Sequence, residues 1–172
     1  MGVAKAALLE EGEEIRLPVG GECMIIGAGM AGMNAALAVA DQGFHAVLVE
    51  RQPRLGGILN QLSAVSWERG EAPAGEILKA KIGQVESHPN IRVFTDTEIE
   101  EVKGYIGNYR VSLKANGNGP GQSLDISTII VATGMREIDP KGLFAYGDDP
   151  RVVTQLQLEG MLKDQRIGAV RD

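Results

Sequence analysis

Gly27, Gly29 and Gly32 are spaced Gly-x-Gly-x-x-Gly directly after the apolar run Met24-Ile25-Ile26, and Glu50 closes the next apolar run. These residue types can bind an anion without a charged side chain. Gly27 permits a tight turn, Gly29 lets phosphate oxygens reach the backbone, and Gly32 lets a following helix approach the strand. The helix start, with Ala28, Met30 and Ala31, offers N–H groups and the positive end of a peptide dipole. A carboxylate about 20 residues further on accepts hydrogen bonds from the vicinal hydroxyls of a ribose. It also repels a 2′-phosphate, which disfavours NADP. Diphosphate and ribose together describe a dinucleotide. Arg51, next in sequence, can cover an adenine edge or stay in water. The glycines alone do not separate NAD from FAD.

The flanking sequence supplies elements to hold these groups. Glu22 to Ile26 reads as a buried parallel strand, Met30 to Gln42 as a helix stopped by Gly43, and His45 to Glu50 as a second strand. That is a βαβ unit, expected to be right-handed. Leu59 to Gly70 fits no single pattern. Pro73 to Glu86 places Ile77, Leu78, Ile82 and Val85 on one helical face. His88-Pro89-Asn90 ends that helix, because Pro89 disfavours helical geometry before it. Ile91 to Phe94 is a third strand. Glu98 to Val102, Tyr109 to Leu113 and Leu124 to Ile126 are short runs between the turn segments Gly104–Asn108 and Asn116–Gly121, which predicts an antiparallel meander. Thr128 to Ala132 is a β-branched run of the kind found in strands buried on both faces. It leads into Thr133-Gly134. Thr154 to Lys163 reads as a short amphipathic helix. The expected organisation is a lead-in over residues 1–21, a domain over 22–137, and a link over 138–172. In the lead-in, Ala4 to Leu9 reads as a short element, Glu10 to Glu14 is acidic, and Pro18-Val19-Gly20-Gly21 is a break.

Composition excludes several other classes. The chain has 172 residues, 44% hydrophobic, enough for one domain with a core. A net charge of −6 and 4% aromatic residues give neither a phosphate-backbone binder nor a stacking platform for single strands. Cys23 is the one cysteine, so no intrachain disulfide, dithiol site or cysteine-held iron–sulfur cluster is expected here. It is read as a small buried hydrophobe. No apolar run reaches membrane-spanning length and no signal pattern stands at the N-terminus, so direct membrane insertion is not expected and a cytoplasmic protein is. No metal-ligand set or acid–base pair emerges. His45 and His88 are both read as structural or exposed, and Met24, Met30 and Met33 as core filling.

The segment Glu50-Arg51-Gln52-Pro53-Arg54-Leu55-Gly56-Gly57 resembles the two-dinucleotide-binding flavoproteins, in which an acid is followed some six residues later by Gly-Gly beside FAD. The meander resembles the insertion of that superfamily, and Ile129-Ile130-Val131-Ala132-Thr133-Gly134 resembles its Ala-Thr-Gly segment. A closer resemblance is to the FAD-binding portion of the A subunit of heterodisulfide reductase. It rests on Ala40-Asp41-Gln42-Gly43-Phe44, Glu86-Ser87-His88-Pro89-Asn90-Ile91, Gly104-Tyr105-Ile106-Gly107-Asn108-Tyr109, and the stretch from Tyr146-Gly147-Asp148-Asp149-Pro150 to Thr154-Gln155-Leu156.

This resemblance implies an α/β fold: a Rossmann-like FAD/NAD(P)-binding three-layer ββα domain with a meander insertion, incomplete in this chain. It implies FAD as cofactor, held by Gly27, Ala28, Gly29, Met30, Ala31, Gly32, Glu50, Arg51, Gly56, Gly57, Ile99, Ala132, Thr133 and Gly134. Electrons would pass to iron–sulfur or disulfide centres outside the chain, on redox partner subunits. A homo-oligomer is a further option. Asn60, Gln61, Ser63, Ser66 and Trp67 follow Gly-Gly and either approach the isoalloxazine or form a surface loop. Phe144-Ala145-Tyr146-Gly147-Asp148 is similar to the late Gly-Asp motif of the superfamily, but follows Ala-Thr-Gly too closely and is read as part of an inter-domain link. The cysteine motifs of many members are absent. So are a second nucleotide domain and the returning segment that completes the FAD domain. The chain is therefore expected to be the first FAD-binding segment of a longer oxidoreductase polypeptide, not catalytically complete by itself. The alternatives are an NAD-binding domain and a non-catalytic scaffolding module. On this reading the purified chain holds FAD weakly, and its absorption spectrum is colourless or sub-stoichiometric in flavin. A yellow protein with one FAD per chain would overturn that.

Overall fold

A computed structural model describes residues 19–67, 70–115 and 121–164. The elements expected at Ala4 to Leu9 and Glu10 to Glu14, and nearly all of the Asn116–Gly121 turn, lie outside the described residues. Strands β1 (Glu22–Ile26), β2 (His45–Val49), β5 (Ile91–Phe94) and β9 (Thr128–Val131) form a parallel four-stranded sheet in the order β5-β2-β1-β9. Helices α1 (Met30–Asp41) and α2 (Ala74–Ser87) cover one face. The antiparallel meander of β6 (Thr97–Tyr105), β7 (Asn108–Ala115) and β8 (Gln122–Ile126) covers the other. This is the three-layer ββα arrangement that the sequence implies.

The layers follow from the period-2 alternation of strands. In β1, Cys23 and Ile25 face the helices while Met24 faces the meander. In β2, Ala46 and Leu48 join the helix side, and Val47 and Val49 the meander side. Helix α1 buries Gly32, Ala36 and Ala40 at four-residue spacing. This small-residue stripe lets its axis lie close to the sheet. The Cys23 thiol sits in this core, and burial pushes its pKa up. A raised thiol pKa makes it a poor nucleophile, as a core residue should be.

Two features differ from expectation or resolve it. The run Thr128–Ala132 forms an outer strand of the described sheet, not one covered throughout. Ile129 and Ile130 pack into the two clusters, but Val131 is 70% exposed. By strand alternation Val131 shares the meander-side face of Ile129, so it is that face which is left uncovered at the end of the strand. The ambiguous stretch after Leu59 contains a 3-10 turn (Gly57–Asn60) and a hairpin, β3 (Ala64–Trp67) with β4 (Gly70–Pro73). Such short pieces give neither helical nor strand periodicity. A helix α3 (Gln155–Lys163) comes last, capped by Thr154 and Gln157 in a reciprocal capping box.

Met24 is fully buried between the sheet and the meander. Met24→Ala is expected to cost about 2–5 kcal/mol, read as a lower urea midpoint at unchanged slope.

Candidate dinucleotide-binding site

The turn between β1 and α1 is built by close approach. A Cβ on Gly32 would lie 1.8 Å from the Gly27 carbonyl oxygen, so only glycine lets α1 start here. On the other flank, a Cβ on Gly27 would lie 2.5 Å from the Ala132 carbonyl oxygen. The Ala132 N–H donates to the Ile26 carbonyl at 2.8 Å, and the Gly27 N–H to the Val49 carbonyl at 2.8 Å. The turn is thus fixed to both neighbouring strands. Gly29 behaves differently: a Cβ there would meet nothing within 4 Å. It is the N-cap of α1, and no side chain caps that helix. The amide tip therefore opens on free space at Gly29.

Gly56 and Gly57 press against the tip from the side. The Gly56 N–H donates to the Ala28 carbonyl at 2.8 Å. A Cβ on Gly57 would lie 3.2 Å from the Gly29 Cα, and one on Gly56 2.7 Å from Leu78 of α2. The Asn60 side-chain amide donates to the carbonyls of Leu55, at 2.9 Å, and Gly57, at 3.3 Å, tying this loop to itself.

Glu50 is buried, 8% exposed, at the C-terminal end of β2. Its Oε2 accepts the Ala28 N–H at 2.8 Å, and its Oε1 accepts the Gln52 N–H at 2.9 Å. Its own N–H donates to the Phe94 carbonyl and its carbonyl accepts the Thr97 N–H. Such a carboxylate cannot swing away. Two carboxylate oxygens offer about four lone-pair directions, so each still has capacity for a hydroxyl donor.

Beside the turn lies a crevice of ≈ 380 Å³, within the range of about 300–1,000 Å³ usual for small-molecule sites. It joins the C-terminal ends of β1 and β2 to the start of β6, and brings together the predicted Gly27, Glu50, Arg51, Ile99, Thr133 and Gly134. Ala28, Gly29, Met30, Ala31 and Gly32 form the tip itself, and Ala132 supports it. Sequence reasoning missed Thr97, Glu98, Met135 and Arg136, which also line the crevice. Thr97 is a buried polar residue at a strand start, and Met135 and Arg136 directly follow the Thr-Gly pair. Those positions were the available signals.

The other candidates fall elsewhere. His45 is exposed at the start of β2. His88 caps the end of α2, where its Nδ1 accepts the Asn90 N–H at 3.1 Å and its Nε2 lies 3.4 Å from Asp41. Ser63 bonds to Glu159 of α3. Ser66 and Trp67 lie in β3. Tyr146, Gly147 and Asp148 line a separate hollow with α3, away from the crevice.

A glycine-built amide tip, a fixed carboxylate and a crevice at the strand ends define a nucleotide-binding α/β protein. The sequence profile of the pyridine nucleotide-disulphide oxidoreductase family matches residues 21–166, and the chain belongs to that family. It is 41% identical over 118 residues to the second iron-sulfur A subunit of the CoB–CoM heterodisulfide reductase of Methanopyrus kandleri, covering 66% of this chain and 17% of that protein. It is 40% identical over 114 residues to the A subunit of the H(2):CoB-CoM heterodisulfide,ferredoxin reductase of Methanothermobacter marburgensis, again 66% and 17%. The chain thus spans about a sixth of the length of these relatives. In fold it is similar to the thioredoxin reductase of Lactococcus lactis, with a TM-score of 0.58 at 20% identity over 74% of this chain and 41% of that one. Among the described residues no helix is long and apolar enough to cross a membrane.

The two glycines at the tip separate packing from binding. Gly32→Ala is expected to destabilise the fold by about 3 kcal/mol or more, whereas Gly29→Ala should melt like the parent and lose nucleotide binding. Thermal denaturation beside a nucleotide titration checks both.

Proposed function

We propose that this chain binds FAD, as the flavin-binding segment of an electron-transferring subunit similar to the A subunit of heterodisulfide reductase. The observation that carries the reading is the pairing of an unfilled amide tip at Gly29 with a buried, immobilised carboxylate at Glu50. In this reading the amides of Gly29 to Gly32 hold the diphosphate. Glu50 accepts the ribose hydroxyls, and Arg51, Glu98 and Ile99 flank the adenine. Gly56, Gly57, Ala132, Thr133 and Gly134 give close backbone approach. A flavin supplies its own redox chemistry when bound. This chain contributes binding, orientation and the local field. Electrons then pass to iron–sulfur or thiol/disulfide centres on sequence outside this chain or on partner subunits, in the cytoplasm. Residues 22–137 are the nucleotide domain and 138–172 a link toward a second nucleotide domain.

FAD is favoured over NAD by the Gly56-Gly57 loop packed on the tip, since that loop is the feature resembling flavoproteins.

The test is a fluorescence titration of the chain with FAD, NAD and NADP in parallel. FAD is expected to bind, with ADP competing and NADP not. Glu50→Gln should weaken FAD about tenfold or more, as expected for loss of charge-assisted hydrogen bonds, with the circular dichroism spectrum unchanged. Selective NAD binding without FAD binding would overturn the proposal.

A further inference from the structure

Helix α3 lies across the two segments that flank the amide tip, and polar contacts hold it there. At its start, the Leu156 N–H donates to Glu137 Oε1 at 3.0 Å, three residues past Gly134. On its second turn, Glu159 Oε2 accepts both the Ser63 N–H at 2.8 Å and the Ser63 hydroxyl at 2.5 Å. One turn further, Lys163 Nζ donates to the Asn60 carbonyl at 2.7 Å. Glu159 and Lys163 are four residues apart and so share one helical face. No residue of α3 is buried, so no fully enclosed apolar side chain of its own seats it.

At their far ends these contacts reach the nucleotide site. Asn60, whose carbonyl takes the lysine, is the residue whose side chain closes the Leu55–Gly57 loop. That loop rests on the tip through Gly57 against Gly29 and through the Gly56 N–H to the Ala28 carbonyl. A continuous path of single contacts therefore runs from α3 through Asn60 to the phosphate-binding turn. The donors of Ser63 hold the Glu159 carboxyl below its usual range, as expected when they favour its ionised form.

We infer that α3 is a strap and that Glu159 and Lys163 are positioning residues. They add to the buried Leu59 in holding the 57–63 loop against the amide tip, and so set how long a bound nucleotide stays. The strap rests on the proposed FAD reading for its functional consequence, but not for its mechanical one.

Two measurements separate these. Hydrogen exchange of the nucleotide-free protein is followed at the amides of residues 57–63. Glu159→Ala is expected to speed exchange at the Ser63 amide about tenfold or more, the size expected for losing a charged acceptor. Glu159→Gln keeps an acceptor oxygen for the Ser63 donors and should restore most of the protection. Ser63→Ala should act in the same direction as Glu159→Ala but less, because its amide remains. Exchange in Glu159→Ala indistinguishable from the parent would overturn the strap. In the second measurement, FAD release is timed after dilution. Glu159→Ala and Lys163→Ala are each expected to release it several-fold faster with a slower or unchanged association rate. Equal release rates would overturn the coupling. If the parent binds no FAD, the flavin reading fails while the exchange experiment still decides the strap.

Discussion

The approach of Gly32 to the Gly27 carbonyl is the constraint on which the rest of this structure depends. With 1.8 Å between that oxygen and the place a Cβ would occupy, the first turn of α1 and the end of β1 share a volume only glycine leaves open. This close contact allows the small-residue stripe of Gly32, Ala36 and Ala40 to lie flat on the sheet. The same turn touches β9 through Gly27 and Ala132. The position of the outer strand, and so of Thr133 and Gly134 at its end, is therefore set by the same contact. Catalytic or binding character in such a fold comes from where strand ends meet, and here the glycine turn touches β1 and β9.

Glu50 makes the second half of the arrangement and shows how a buried charge is tolerated. An ionised carboxylate withdrawn from water is costly unless hydrogen-bonded. This one receives two backbone N–H groups, from Ala28 and Gln52. The Ala28 amide belongs to the glycine turn between β1 and α1. The Glu50 carboxylate and the amides at the start of α1 are thus mechanically linked, so a ligand meeting both would find them already in place. It also explains why an acid is tolerated at the end of an otherwise apolar strand.

Much of this is legible in the sequence because each piece is a local rule. The glycine spacing dictates the turn. The alternation of Cys23, Met24 and Ile25 separates the two cores. The Gly104–Asn108 segment gives the tight β6–β7 hairpin. What is not legible depends on contacts between segments distant in sequence. Val131 is exposed on the meander-side face, although its run reads as interior, because a local pattern does not encode how far the meander reaches along that face. Thr97 enters the crevice because its N–H bonds the Glu50 carbonyl, a pairing across 47 positions that no local pattern announces. The sequence leaves Ser63 open between approaching the isoalloxazine and sitting in a surface loop, and does not announce its bond to Glu159, 96 positions away.

That last pairing bears on how the two ends of the described chain relate energetically. The sheet and its helices are held by buried apolar side chains that close-pack and resist partial opening. Helix α3 has none buried, and its capping box stabilises the helix internally without seating it on anything. Beside the half-buried Leu156, Leu158 and Met161, its attachment includes a few hydrogen bonds, each worth about 0.5–1.5 kcal/mol net, or roughly 1.5–3 kcal/mol where a charged group takes part. A core cannot be loosened gradually, whereas a set of surface polar contacts can be exchanged for water one at a time. The tip is thus defined by backbone contact, and the flanking loop is seated by the buried Leu55 and Leu59, with the α3 contacts added at its surface.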